Sequence, residues 1–402
     1  MAFFNKIFGT KAAADTSAAE PREIDFITSL LMHLRGEIDP ALSTYMQIGE
    51  ELPEYNLARF FAAAIMAGNG NVKESAEILR ELSLRISLDG ETISRAIAEE
   101  LAALINRELY VKAPVVAEII VVFGDQLKKE GFVQESAVCF EIAAGLVPSH
   151  ANVLHKLGDT LHDLRHYDYA ESVLLEALKY APYHWGALYT YAVLLQDLGR
   201  VEEAITYYER AVKINPDHAR CQNNYGAALM ITNRLEEALA HCTSATELDR
   251  AFPLAKINLG NIYLLMNSYE AARTCFAEAI SLDENLPMGY LGLGTAEESL
   301  GSDSGRIRKL YLKAIELSPS FADAHHALGK FLARDGNPEA LEHFSAAVEL
   351  NNNLVNLHRD FGNACLKLGR REEALEHLRT ALQQNPDDVM AREILAKAED
   401  TE

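Results

Sequence analysis

The chain has 402 residues, of which 49% are hydrophobic and 24% charged, the balance of a folded soluble protein. Its formal net charge of −22 speaks against nucleic acid, whose binders carry basic stripes, and against anionic membrane surfaces. The same charge biases the chain towards basic partners.

Residues 1–22 read as a flexible tail. Phe3, Phe4, Ile7 and Phe8 fall at helical spacing beside Lys6 and Lys11. The alternative is therefore a short amphipathic docking helix over residues 1–12, for a partner or for weak peripheral membrane contact. No continuous apolar core marks a secretory signal. No run reaches the ~20 apolar residues of a spanning helix; the longest candidate, 113–124, contains Glu118. A cytoplasmic protein is expected.

Residues 23–116 are helical in pattern and read as an N-terminal cap with degenerate repeats. Asp39-Pro40 and Leu52-Pro53 look like helix starts, with proline at the first helical position. Asn71 is placed to cap a helix beginning at Val72, and 91–109 reads as an amphipathic helix. The pair 53–67 and 71–86 resembles a repeat unit without its glycine or its closing proline.

From 117 onward the sequence repeats. Leu157-Gly158 returns as Tyr191-Ala192, Tyr225-Gly226 and Leu259-Gly260, each step 34 residues. Ala170 and Ala177 return at 204 and 211, 238 and 245, and 272 and 279, while Pro148, Pro182 and Pro216 keep the same spacing. Small residues at fixed places let two antiparallel helices approach, and proline ends the second helix of each pair. Eight units fit: 117–150, 151–184, 185–218, 219–252, 253–286, 287–321, 322–354 and 355–388. Residues 389–402 read as a capping helix and tail, with Val389, Ile394 and Leu395 covering the open end. This pattern resembles the tetratricopeptide repeat (TPR) family. The resemblance implies an all-α fold, a right-handed superhelical solenoid whose first helices (A) line a concave face.

Catalytic signatures are missing: there is no G-x-S-x-G, no H-E-x-x-H and no phosphate loop, and no cofactor is expected. Acid pairs such as Glu202-Glu203 and Glu236-Glu237 recur at helix starts, where carboxylates suit the helix dipole. The five cysteines are scattered, without C-x-x-C, and Cys242 occupies the place of Leu174, Tyr208 and Phe276. They read as core thiols of a reduced compartment. His155, Asp159, His162 and His166 follow one another at i, i+4, i+7 and i+11. That spacing puts them on one helix face with ligand types suited to a transition metal, or makes them a polar groove wall.

The resemblance implies a non-catalytic interaction scaffold or adaptor that holds a peptide or partner protein in the concave groove. Similar arrays precede the catalytic domain of O-linked N-acetylglucosamine transferases, so a targeting subunit for a separate enzyme is the alternative. A self-assembling coat is another. By resemblance, helix A positions 2, 5, 6, 9, 12 and 13 face the groove. They include Asn223 at position 5, and Asn224 and Asn258 at position 6 with Asn261 at position 9, the last three similar over two repeats to the asparagine ladder of those transferases. An amide can hold any extended backbone, because it both donates and accepts. Around them the groove turns apolar, with Met230, Ile231, Leu254, Ile257, Leu264, Leu265, Met288 and Leu291.

Overall fold

The structure is a computed structural model. It describes residues 26, 29–30, 32–33, 37–51, 56–86, 97–99, 101–103 and 112–400. The proposed docking helix over residues 1–12 lies outside them, as does most of 91–109. The described residues hold helices and turns, with no strand among them. The chain divides into two compact units, 1–214 and 215–402.

In the first unit, α1 (Ile38–Glu51), α2 (Asn56–Gly68) and α3 (Val72–Ile86) precede three helix pairs. These are α4 (Ala113–Lys129) with α5 (Val133–Leu146), α6 (Ala151–Asp163) with α7 (Tyr167–Tyr180), and α8 (Trp185–Asp197) with α9 (Val201–Ile214). The second unit continues the pattern. Its pairs are α10 (Ala219–Ile231) with α11 (Leu235–Leu248), α12 (Pro253–Leu265) with α13 (Tyr269–Leu282), α14 (Pro287–Ser299) with α15 (Ser304–Leu317), α16 (Ala322–Arg334) with α17 (Glu339–Leu350), and α18 (Leu357–Lys367) with α19 (Arg371–Gln384). A final helix, α20 (Val389–Asp400), follows. Each unit is a stack of helix pairs, an α solenoid.

The small residue of helix A is where its partner helix presses in. A Cβ added to Gly226 would stand 2.4 Å from Cys242 Sγ and 3.1 Å from the carbonyl of Ala238. At Gly158 the same atom would meet Leu174, and at Gly294 it would meet Tyr311. Cys242 is fully buried, the other four cysteines are buried too, and none forms a disulfide.

A second recurrence lies in the turn from helix A to helix B. Gly131, Arg165, Gly199, Asn233, Asn267, Gly301, Gly336 and Gly369 all have positive φ. The residue after each bonds back to the carbonyl five positions earlier, as His166 to Leu161 and Arg200 to Leu195. This is the left-handed helix stop that glycine and asparagine serve best. The B helices end two residues ahead of Pro148, Pro182 and Pro216. Where no proline follows, an acidic or amide side chain closes the turn: Asp249 accepts from the Ala251 N–H, Asp283 from Asn285 and Asn351 from Asn353.

Two expected boundaries shift, and one residue expected to cover the open end stays exposed. Helix α4 starts at Ala113, four residues before 117, because Pro114 occupies a first-turn position where its missing N–H costs nothing. Helix α18 starts at Leu357, after Asn356 takes φ of 65°. In α20 it is Ala391 and Ala398 that are buried, while Val389 stays 58% exposed.

The α2–α3 pair repeats the device of the first repeat. Ser75 Oγ donates to the Ala63 carbonyl at 2.8 Å, and Ser136 Oγ to the Gly124 carbonyl at 2.9 Å. Gly70 and Gly131 supply the left-handed turn. Phe60 meets Phe123 edge-on at 5.7 Å, so the N-terminal helices and the first repeat share one core.

Candidate binding face

Within each unit, side chains of successive A helices bond across repeats along one face. In the first unit that face is largely polar and paired, with Val122 of α4 an exposed apolar exception. Lys156 Nζ donates to Asp125 Oδ1 at 2.6 Å, and Lys128 Nζ reaches Asp159 Oδ2 at 2.6 Å and Asp163 Oδ2 at 2.8 Å. His155 Nε2 shares a hydrogen bond with Thr190 Oγ1 at 3.1 Å, and His162 Nε2 one with Asp197 Oδ2 at 2.8 Å.

The histidine series therefore does not converge on a metal. His155, Asp159 and His162 are each held by a different neighbour, and His166 lies in the turn before α7 rather than on α6. No three His, Cys, Asp or Glu side chains are grouped to hold a metal ion among the described residues. Burial, rather than any ligand, dominates His155: it lowers the imidazole pKa to about 4, against a smaller opposing pull from Asp159. His184 lies against it, with ring centroids 5.2 Å apart.

In the second unit the A-helix face carries exposed apolar side chains. Ile231, Leu254, Leu265 and Met288 are 59%, 42%, 55% and 42% exposed. They stand on α10, α12 and α14, three A helices in succession. Large side chains left in water on neighbouring elements mark an interaction surface more than scattered exposure does. Leu291 is half-buried there, as are Asn224, Asn258 and Asn261.

Two expected groove residues sit below that surface. Ile257 is 3% exposed and belongs to the core with Phe276 and Leu293. Asn223 is 5% exposed; its Oδ1 accepts from Asn258 Nδ2 at 2.9 Å, and its Nδ2 donates to Asn224 Oδ1 at 3.2 Å. The amides thus form a short network between α10 and α12. They do not present a row of open peptide hooks.

Beyond α14 the face becomes charged. Arg334 pairs with Glu298 at 2.6 Å, and His326 shares a hydrogen bond with Asp360 at 3.0 Å. Arg359 meets Asp360 at 3.2 Å and Asp388 at 3.3 Å. Desolvation raises the Asp360 pKa, but His326 and Arg359, with a smaller pull from Lys330, outweigh it and hold the carboxyl below its usual value. Lys367 Nζ donates to the Ala333 carbonyl at 3.2 Å. Lys330 is exposed. A separate cavity of about 360 Å³ lies off this face, lined by the ends of α11 and α13 and by Lys256, which is paired with Glu278 at 2.7 Å.

Tetratricopeptide repeat models match residues 155–219, 192–255, 253–286, 310–341 and 337–398, together more than half of the chain. The chain belongs to the tetratricopeptide repeat family. As a TPR array it is a protein–protein interaction scaffold. No curated protein sequence matches it. Among solved structures it is similar to a TPR protein from Parabacteroides merdae, at 16% identity and TM-score 0.52, covering 62% of this chain and 99% of that one. It is also similar to the Cut9–Hcn1 hetero-tetramer of the APC/C, at 12% identity and TM-score 0.50, covering 95% and 97%. YrrB, described as a TPR protein with an unusual peptide-binding site, matches at 28% identity and TM-score 0.35, over 46% of this chain and 96% of that one. No described helix of this TPR chain is long and apolar enough to cross a membrane.

The cations on α16 and α18 were missed by sequence reasoning. Their signal was present: Lys330 and Lys367 stand at A-helix positions 9 and 13, where the earlier repeats of this unit carry Asn261 and Leu265.

Proposed function

We propose that this TPR chain is a non-catalytic scaffold or adaptor that holds a partner protein or peptide on the A-helix face of residues 219–299. One contrast carries the reading. In the first unit the A-helix face satisfies its polar groups internally and exposes one large apolar side chain, Val122, whereas in the second unit four, Ile231, Leu254, Leu265 and Met288, remain exposed on three successive A helices. A partner that covers those four side chains gains hydrophobic free energy, at roughly 25 cal/mol per Å² of apolar surface removed from water. The half-buried amides Asn224, Asn258 and Asn261 border the patch, where a backbone can use their remaining donors and acceptors. The helices before the first repeat and α20 serve as end caps. Five buried free thiols suit a reducing cytoplasm.

The test is a triple substitution, Ile231→Ser, Leu265→Ser and Met288→Ser, in the full chain. A partner that co-purifies with the unaltered protein is expected to be lost, with circular dichroism unchanged. Retention by this variant, and loss from a B-helix variant such as Leu248→Ser with Leu282→Ser, would place docking on the opposite helices and overturn the reading.

A further inference from the structure

The charged end of the A-helix face has a sign, and the sign selects the partner. Arg334 is answered by Glu298, and Arg359 by Asp360 and Asp388. His326 is answered by Asp360 too. Once those pairs are made, two lysines remain. Lys330 forms no ion pair among the described residues, and Lys367 is held only by the Ala333 carbonyl. Both are exposed. Lys367 reaches back to α16 one turn from Lys330, so the two ammonium groups serve one stretch of the face. Of the exposed acids nearby, Asp323 lies two turns towards the other end of α16, about 10 Å away along the axis, while Asp335 caps the near end of that helix beside Arg334.

We infer that the partner is a segment of another protein in which an apolar stretch is joined to acidic residues, the acidic part lying against Lys330 and Lys367. The inference rests on the docking face proposed above and adds its polarity. The apolar stretch covers Ile231, Leu254, Leu265 and Met288 on α10, α12 and α14. The chain then passes Thr295 and Arg334 to reach the lysines on α16 and α18. The net charge of −22 would by itself favour a basic partner. Screening reverses that at contact range. At physiological ionic strength a charge fades over about 8 Å, so the cations that touch the segment outweigh the distant carboxylates. A basic segment would place like charges beside two lysines that form no direct ion pair among the described residues, although Lys330 acts on Asp360 at longer range. A wholly apolar segment would leave them merely solvated. Only an acidic one turns both into new pairs.

The experiment uses the full chain and a displayed random-peptide library. Peptides selected on the unaltered protein are synthesised and titrated against it, against Lys330→Glu with Lys367→Glu, and against Ile231→Ser with Leu265→Ser. The expected motif joins large apolar residues to Asp or Glu. The lysine reversal is expected to weaken its binding at least tenfold, and raised salt to weaken it further. Lys330→Ala with Lys367→Ala, which introduces no new charge, repeats the measurement should the reversed variant misfold. Enriched motifs without acidic residues, or acidic peptides that bind all lysine variants equally, overturn the polarity. If no motif is enriched, or if the serine variant binds every peptide unchanged, the docking face itself is wrong and the inference falls with it.

Discussion

Asn258 donates from Nδ2 to Oδ1 of Asn223 across the α10–α12 boundary, at 2.9 Å, to an acceptor residue that is 5% exposed. The bond ties two repeats together, so Asn258 is structural as well as available to a partner. Replacing it with alanine strips a buried carbonyl of its donor, at a cost of about 1–3 kcal/mol. Asn258→Ala is therefore expected to lower the urea midpoint of the second unit. Asn224→Ala combined with it should weaken partner binding at least tenfold, about 1.4 kcal/mol. Asn261 is half-buried and makes no side-chain hydrogen bond among the described residues. Asn261→Ala should leave stability within about 0.5 kcal/mol and still weaken binding. Equal midpoints for the Asn258 and Asn261 variants would show that the inter-repeat bond contributes nothing.

These amides also show what the sequence could and could not tell. Helical spacing puts Asn223, Asn224 and Asn258 on one side of their helices, and they do share a face. It cannot say which of them the neighbouring repeat covers. The histidine series meets the same limit. Spacing within α6 places His155, Asp159 and His162 together, but their partners lie 31 to 35 residues away, in Lys128, Thr190 and Asp197. Complementary residues at that offset, Asp125 with Lys156 among them, were the readable signal. The repeats themselves were legible because glycine and alanine recur wherever two helices meet. The α2–α3 pair was harder to see because Ala63 takes the glycine's place and no proline closes the unit.

The contact between Gly226 and Cys242 predicts a localised cost. A methyl group at Gly226 would stand 2.4 Å from a fully buried sulfur, with backbone behind it. Gly226→Ala is expected to destabilise by about 1–3 kcal/mol through overpacking. Cys242→Ala in the same chain removes the sulfur and should recover part of that loss. Ala192 occupies the equivalent place in its own repeat and is fully buried, so the fold tolerates a methyl group where the neighbour allows it. If the double variant is as unstable as the sum of the two single ones, the clash with sulfur is not the cause.

Acid should loosen both units. Burial lowers the His155 pKa from 6.5 to about 4, so the folded state prefers the neutral ring. Below pH 6.5 the unfolded chain binds the proton and the folded one does not, and stability falls until the pH reaches the folded pKa. The shift corresponds to roughly 3 kcal/mol at most. In the second unit His325 and His343 approach at 3.2 Å between Nδ1 atoms, and His358 and His377 at 2.9 Å. Each bond needs one ring to donate and the other to accept, so a doubly protonated pair loses it. Burial lowers His343, His358 and His377, with the partner ring adding to the effect on His343 and His377. Glu339 and Glu342 pull His343 the other way, as Glu373 and Glu376 do His377, but burial prevails. Hydrogen exchange around α6 and around α16–α19 is expected to accelerate between pH 7 and pH 5. Exchange slower at pH 5, after correction for its intrinsic rate, would contradict the sign.

Arg165 offers a gain in stability. It sits at φ of 60°, in the left-handed position that glycine fills at 131, 199, 301, 336 and 369. A side chain with a Cβ pays about 1–2 kcal/mol there, because the Cβ crowds the next carbonyl. Glycine avoids that strain but has more freedom to lose on folding, which offsets part of the gain. Arg165 forms no ion pair among the described residues, so its removal breaks none. Arg165→Gly is expected to stabilise the first unit by about 0.5–1 kcal/mol, read as a higher denaturant midpoint. Asn233→Gly, made at the equivalent turn with φ of 60°, should gain less, because asparagine tolerates this conformation. A destabilised Arg165→Gly would show that the arginine is held by contacts that outweigh its backbone strain.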